Sequence, residues 1–341
     1  MVYGHSIQYL IYPQPEDGGT DTVFRWIYSF HMPLFMMISG YFFAVTFKPG
    51  FKQTALKKIQ RLAVPVICWS LLFGVVACAI NDSLTWSEYL DRSSSFLWFL
   101  KSAFFCSILG FFAFKGNRLS IPGILITLLI SQTLSLSSIA KCLDCQLAFM
   151  YPCFLAGILF SRFKETIYSR KLPLLIASGI LFFVLASMFD EYKWGRCWHA
   201  FSGISVIAEN PVSFLTWRSY RILMGLSGSL FFILSFTYLF KNVKNGATSR
   251  IISKIGRETM GIYILQLLTL EIIIGPMVYM DSIPRATAYT VILPAISIAI
   301  VALCMGIISL LKTSKTVARL TLGIAPRKPL AGFAVQVKTT E

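Results

Sequence analysis

Apolar and polar residues alternate in long blocks along this 341-residue chain. A helix needs about 20 apolar residues to cross the hydrocarbon core of a bilayer, and nine blocks meet or approach that length. They cover residues 22–47, 62–80, 97–114, 121–137, 146–160, 172–189, 220–240, 259–280 and 287–311, with 97–114 and 146–160 the shortest relative to a full crossing. Ahead of them, residues 1–12 are apolar but too short to span, and a turn-rich stretch, 13–20, follows. That start has no basic leader and no small-residue cleavage site, so it reads as the end of a further helix and not as a signal peptide. The pattern predicts an all-α integral membrane protein of about nine to ten transmembrane helices, the first of them truncated. No internal repeat or low-complexity tract is visible.

Composition agrees with this reading. The chain is 56% hydrophobic and 13% charged, and its mean hydropathy is +0.69, a balance that makes the bilayer its solvent. A net charge of +16 would suggest nucleic acid in a soluble protein, but here the basic residues lie between apolar runs and act as topology signals. Linkers 48–61, 115–118, 162–171 and 241–257, with the tail after Leu311, carry 22 of the 31 Lys and Arg against three acids, Glu165, Glu258 and Glu341. The opposite side, counting Arg25 and Lys101 in the outer ends of their helices, carries the other nine basic residues and 11 of the 15 acids. Positive residues stay inside, which places the first set and the C-terminus in the cytoplasm of a multi-pass inner (plasma) membrane protein. The chain then divides into a membrane domain, 1–312, and a basic cytoplasmic tail, 313–341. The long outer segment 190–219 holds Trp194, Trp198, His199 and Trp217 and is expected to lie on the membrane interface.

Ionisable residues at membrane depth are costly and point to a site. His5 lies seven residues from Tyr12, His31 nine from Thr22, and Glu271 nine from Met280. At 1.5 Å rise per residue all three sit roughly 10 to 14 Å below the outer surface. A short loop joins the helices of His5 and His31, so the two imidazoles could share one pocket. Pro33 frees a carbonyl two residues before His31, a local break of the kind that borders cavities in membrane helices. Glu271 either pairs with a histidine, as in a general-base arrangement, or is held by a structural partner. The cysteines fall mostly inside apolar runs without paired metal spacing, and Cys142 with Cys145 forms a lone C-x-x-C, so no metal site is expected. A nucleophile elbow, a phosphate-binding glycine loop and a His followed four residues later by Asp are all missing, which excludes soluble-hydrolase and nucleotide-binding readings.

The run Phe30-His31-Met32-Pro33-Leu34-Phe35 with Ile38-Ser39-Gly40-Tyr41 resembles the F-H-M-P-L-F…I-S-G signature of the acyltransferase 3 family, in particular its fucose 4-O-acetylase-like branch. Val2-Tyr3-Gly4-His5-Ser6, Lys58-Ile59-Gln60-Arg61-Leu62 with Pro65, and Leu97-Trp98-Phe99-Leu100 follow the family pattern in order. So do Tyr151-Pro152 with Phe154-Leu155-Ala156-Gly157, and Ile255-Gly256-Arg257 with Thr259-Met260-Gly261-Ile262-Tyr263. The resemblance covers nearly the whole chain. Two departures are the shortened first helix and Gln266, which stands where many relatives have a histidine.

The resemblance implies transfer of an acyl group, usually acetyl, from cytoplasmic acyl-CoA to a hydroxyl of a carbohydrate or other cell-envelope acceptor. His5 then takes the essential histidine's role, with His31 second and Glu271 beside them. A neutral imidazole, with an ordinary pKa of about 6.5, can take a proton from a hydroxyl at neutral pH, or carry the acyl group itself. The donor's phosphates match Arg61, Lys57 and Lys58 at a helix mouth, residues that also serve as topology signals. Trp98 and Tyr151 either stack on a sugar face or anchor the membrane interface, and Gln266 joins them as a substrate contact. The alternative function is a transporter or flippase of envelope sugars, because intramembrane His and Glu on broken helices also suit translocation.

Overall fold

The computed structural model describes residues 1–12, 19–80, 97–116, 118–134, 146–202, 211–240, 246–275, 277–278, 280 and 283–324. Cys142 and Cys145 lie outside them, as do the side chains of Trp198 and His199. The first half of the chain holds α1 (Val2–Leu10), α2 (Thr22–Val45), α3 (Phe51–Lys58), α4 (Val64–Ile80), α5 (Trp98–Phe112), α6 (Ile121–Leu134) and α7 (Leu147–Arg162). The second half holds α8 (Lys164–Ser169), α9 (Lys171–Ser187), α10 (Glu191–Ser202), α11 (Pro211–Leu239), α12 (Ala247–Arg257), α13 (Thr259–Leu267), α14 (Arg285–Thr287), α15 (Leu293–Leu311) and α16 (Lys315–Leu322). Three π-helical stretches, Ile59–Ala63, Leu268–Ile274 and Ala288–Ile292, interrupt or extend these helices. Two-residue strands, β1 (Phe114–Lys115) and β2 (Arg118–Leu119), pair antiparallel where a plain linker is expected.

Each apolar block of the sequence forms helix among the described residues, and the helices differ in how far they can reach. Among the described residues four helices are long and apolar enough to cross a membrane: Thr22–Val45, Phe51–Val76, Pro211–Leu239 and Arg285–Leu311. Helix α9 with the start of α10 makes a fifth candidate, bent by 104°. Trp98–Phe112, Ile121–Leu134, Leu147–Arg162 and Thr259–Ile274 are apolar but run only 10–17 residues. At 1.5 Å per residue they reach about 15–25 Å, less than the core thickness. Length and composition therefore give four or five spans where the pattern predicts nine to ten. The outward surface is apolar, as a lipid-solvated chain requires: Ile121, Leu125 and Leu129 form an exposed stripe along α6.

Helix α2 is the central element. Asp21 caps it by accepting the Phe24 amide at 2.8 Å, which satisfies one of the free donors of the first turn. Its inward face packs on α7, and the two backbones meet at two glycines. A Cβ on Gly40 would lie 1.9 Å from the Phe154 carbonyl oxygen, and one on Gly157 would lie 1.9 Å from that of Met37. Only residues without a side chain allow this approach. Around this pair a core of Met32, Met36, Phe43, Cys106, Met150, Phe154 and Ile158 joins α2, α5 and α7. A second core joins α1, α4, α13 and α15 through Ile7, Leu10, Phe73, Ile264, Ile300 and Cys304. The tail helix α16 folds back on this second group, and the Trp69 indole of α4 donates to the Thr321 carbonyl at 2.7 Å.

Candidate functional site

Helices α1 and α2 meet where Gly4 faces Tyr28. A Cβ on Gly4 would lie 3.0 Å from that ring, so the glycine beside His5 sets how closely α1 approaches. His5 Nδ1 is 3.0 Å from the Tyr28 hydroxyl, which donates to Gln8 Oε1 at 3.0 Å. A hydroxyl has one proton. With that proton committed to Gln8, the tyrosine oxygen receives Nδ1–H of His5, and the lone pair of the neutral ring stays on Nε2.

His31 reaches the same tautomer by another route. Its Nδ1 lies 2.8 Å from the Ile27 carbonyl oxygen one turn earlier in α2. A carbonyl only accepts, so Nδ1 carries the proton and Nε2 is again the bare nitrogen. The Tyr28 ring stands between the two imidazoles, edge-on to both, with centroids 5.8 Å from His5 and 4.4 Å from His31. Both histidines are buried, and neither Nε2 has a hydrogen-bond partner among the described residues.

Glu271 joins this cluster through a tyrosine. It sits on the π-helical stretch Leu268–Ile274, where the wider turn re-aims side chains, and its Oε2 accepts the Tyr9 hydroxyl at 3.1 Å. The Tyr9 ring in turn stacks on His5, with centroids 6.2 Å apart and 23° between planes. The expected carboxylate–imidazole relation is thus bridged by an aromatic ring. Gln266, one turn before Glu271, is fully buried, and both its amide atoms lack partners among the described residues.

Two residues of this region escape a reading of the sequence. Trp194, expected on the membrane interface, packs inward against Phe24, Tyr28 and Phe189 at 5.5, 6.3 and 5.8 Å between centroids. The chain turns sharply between α9 and α10, which directs this face onto α2 and not toward lipid. Arg221, inside the apolar part of α11, donates through Nη2 to the Tyr28 carbonyl at 2.8 Å. A lone arginine one residue inside an apolar block was the available signal.

Trp98 heads α5 half-buried, edge-on to Phe99, while Tyr151 is fully buried with its ring stacked on Phe154. At the junction of α3 and α4, Lys57 and Arg61 are exposed, and Lys58 lies over the Phe43 ring at 5.3 Å. A cavity of about 350 Å³ opens beside them, lined by Gln60, Val64, Lys315, Thr316, Arg319 and Leu320. Lys315 and Arg319 come from the tail helix, and they line this cavity with Gln60 because α16 folds back; Lys57, Lys58 and Arg61 do not line it.

The fold and this cluster define a multi-pass helical membrane protein with two similarly oriented imidazoles gathered between α1 and α2. The model of the acyltransferase 3 family, an acyltransferase domain, matches residues 1–309. The chain belongs to that family and is an acyltransferase. It is 25% identical to nodulation protein NolL of Mesorhizobium japonicum over 350 residues, covering 97% of this chain and 88% of that one. A second nodulation protein NolL, from Sinorhizobium fredii, is 26% identical over 222 residues, 61% of this chain and 58% of the relative. No solved structure gives a significant match.

Proposed function

We propose that the protein moves an acyl group, probed first as acetyl, from acyl-CoA to a hydroxyl of a cell-envelope carbohydrate. The observation that supports this best is the pair of bare Nε2 atoms of His5 and His31 flanking Tyr28. A sugar hydroxyl becomes a useful nucleophile when a base takes its proton, and Nε2 of a neutral imidazole is such a base. The hydroxyl oxygen attacks the thioester carbonyl carbon as its proton passes to Nε2. Collapse of the tetrahedral intermediate expels the CoA sulfur, which recovers that proton. Tyr28 and the Ile27 carbonyl hold the opposite ring nitrogens, and Tyr9 with Glu271 steadies the face of His5. At the inner mouth Arg61, Lys57 and Lys58, with Arg319 from the tail, match the donor's phosphates. Trp98 and Gln266 are assigned to the acceptor, and Tyr151 backs them from within the core.

The test is thioester turnover. Purified protein in lipid is expected to release free CoA from acetyl-CoA, faster when an envelope polysaccharide is supplied, with the acetyl group recovered on the sugar by mass. A transporter of sugars would release none.

This reading also sets an orientation. Cysteine labels placed in 241–257 or on the tail are expected to be shielded from impermeant maleimide in intact cells, and labels in 82–92 are expected to react. The reverse pattern would put the donor-binding mouth on the wrong side of the membrane and defeat the assignment of Arg61.

A further inference from the structure

Arg221 is a buried cation with no counter-ion among the described residues. It is 9% exposed, and the ion pairs Lys164–Glu165, Lys193–Asp190 and Lys312–Glu258 lie elsewhere. Three aromatic faces surround it, Phe149, Phe189 and Trp194, at 5.0, 5.1 and 5.6 Å from ring centroid to guanidinium carbon. These offset part of the cost of burying charge. Its Nη2 is occupied by the Tyr28 carbonyl, but Nη1 has no acceptor among the described residues. Arg218, one turn earlier on α11, shows the contrast: its Nη1 donates to Gln132 Oε1 at 2.8 Å and its guanidinium lies 4.1 Å from the Phe214 ring centroid.

A charge held this way is electrostatically incomplete until an anion arrives. The residue it grips, Tyr28, is the one whose ring packs on both His5 and His31. Thioester and hydroxyl are both neutral at the reacting atoms. Negative charge appears there only when the hydroxyl oxygen adds to the carbonyl carbon and the carbonyl electron pair moves onto oxygen. A donor fixed beforehand in a dry site favours that state over the ground state and needs no reorganisation.

We infer that Arg221 Nη1 is the oxyanion donor of the acyl-transfer step, binding the former thioester carbonyl oxygen in the tetrahedral intermediate. This rests on the acyl-transfer reading above. When the intermediate collapses, the electron pair returns to the carbonyl, the C–S bond breaks and the guanidinium is released unchanged.

The test compares Arg221→Gln and Arg221→Lys with wild type, using acetyl-CoA and chloroacetyl-CoA as donors. Arg221→Gln is expected to lower kcat with acetyl-CoA by a factor of about 10² to 10³, the usual effect of losing one oxyanion donor, with KM unchanged. The loss should shrink with chloroacetyl-CoA, whose substituent itself carries part of the developing charge. Arg221→Lys, which keeps the cation, is expected to fall between, and it stands in if the Gln variant does not accumulate. An equal loss with both donors, or a change confined to the acceptor's KM as for a bound acceptor carboxylate, would overturn the inference. Full activity in both variants would overturn it while leaving the acyl-transfer reading intact. A wild type that releases no CoA would remove that reading instead.

Discussion

His5→Ala and His31→Ala are each expected to lower acyl transfer by a factor of about 10² to 10⁴ while the protein still inserts and accumulates. Insertion survives because alanine is cheaper than histidine to bury in a membrane helix. Neither ring makes a contact between helices that the fold depends on: His31 bonds its own helix at Ile27, and the Tyr28 hydroxyl that meets His5 keeps Gln8 as partner. Tyr28→Phe removes the acceptor that fixes the His5 tautomer and is expected to cost less than loss of the ring. Glu271→Gln should cost less again, since it acts on His5 only through the Tyr9 ring. Rates are to be read as acetyl transferred per unit of membrane-inserted protein. Wild-type turnover in the double alanine variant would end the assignment of both histidines.

Gly40→Ala and Gly157→Ala are expected to destabilise the protein by about 1 to 3 kcal/mol each, the usual cost of forcing one extra methyl into a closed interface. Each Cβ would lie 1.9 Å from a carbonyl oxygen of the facing helix. That oxygen belongs to backbone and cannot swing aside as a flexible side chain could, so α2 and α7 must separate along their whole contact. Gly306→Ala is the control, because a Cβ there meets nothing within 4 Å, and a helix-interior alanine gains from its better propensity. Thermal unfolding in one detergent should show Gly40→Ala and Gly157→Ala melting lower and Gly306→Ala unchanged or higher. Equal midpoints for all three would show that the α2–α7 contact is looser than described.

How much of this was legible beforehand differs from residue to residue. His5 and His31 stand out because an imidazole in an apolar run is costly, and counting helical rise brings them to similar depth. The same count brings Glu271 near, but nothing in the spacing says that a tyrosine will stand between it and His5. Tyr9 and Tyr28 are two of 14 tyrosines in a chain with 29 phenylalanines, and in such a background an aromatic carries almost no positional information. Arg221 hides for a different reason: basic residues near helix ends are read as topology, and it follows Tyr220, taken as the start of its block. The number of crossings differs between the two readings because hydropathy measures apolar length and not helix length: among the described residues four or five candidates have the length of a full span. Phe112, for example, ends its helix at the β1–β2 pair, which leaves that helix shorter than its apolar block.

His5 and His31 are mounted on different helices, which share a core through Phe24 of α2 and Ile7 and Leu10 of α1 but have separate further anchors. Helix α1 is tied to the C-terminal third of the chain: Tyr3 donates to the Tyr289 carbonyl, Ser6 meets Ser297, and the Met280 amide bonds the Leu10 carbonyl. His31 rides on α2, which is pressed backbone to backbone on α7. The proposed reacting centre therefore lies on the contact between α1 and α2. Helices meet a bilayer of unsuitable thickness by tilting, and a tilt of α1 against α2 changes the separation of the two Nε2 atoms with no change of rotamer in either ring. Lipid thickness is in this sense a dimension of the proposed active centre, set from outside the polypeptide.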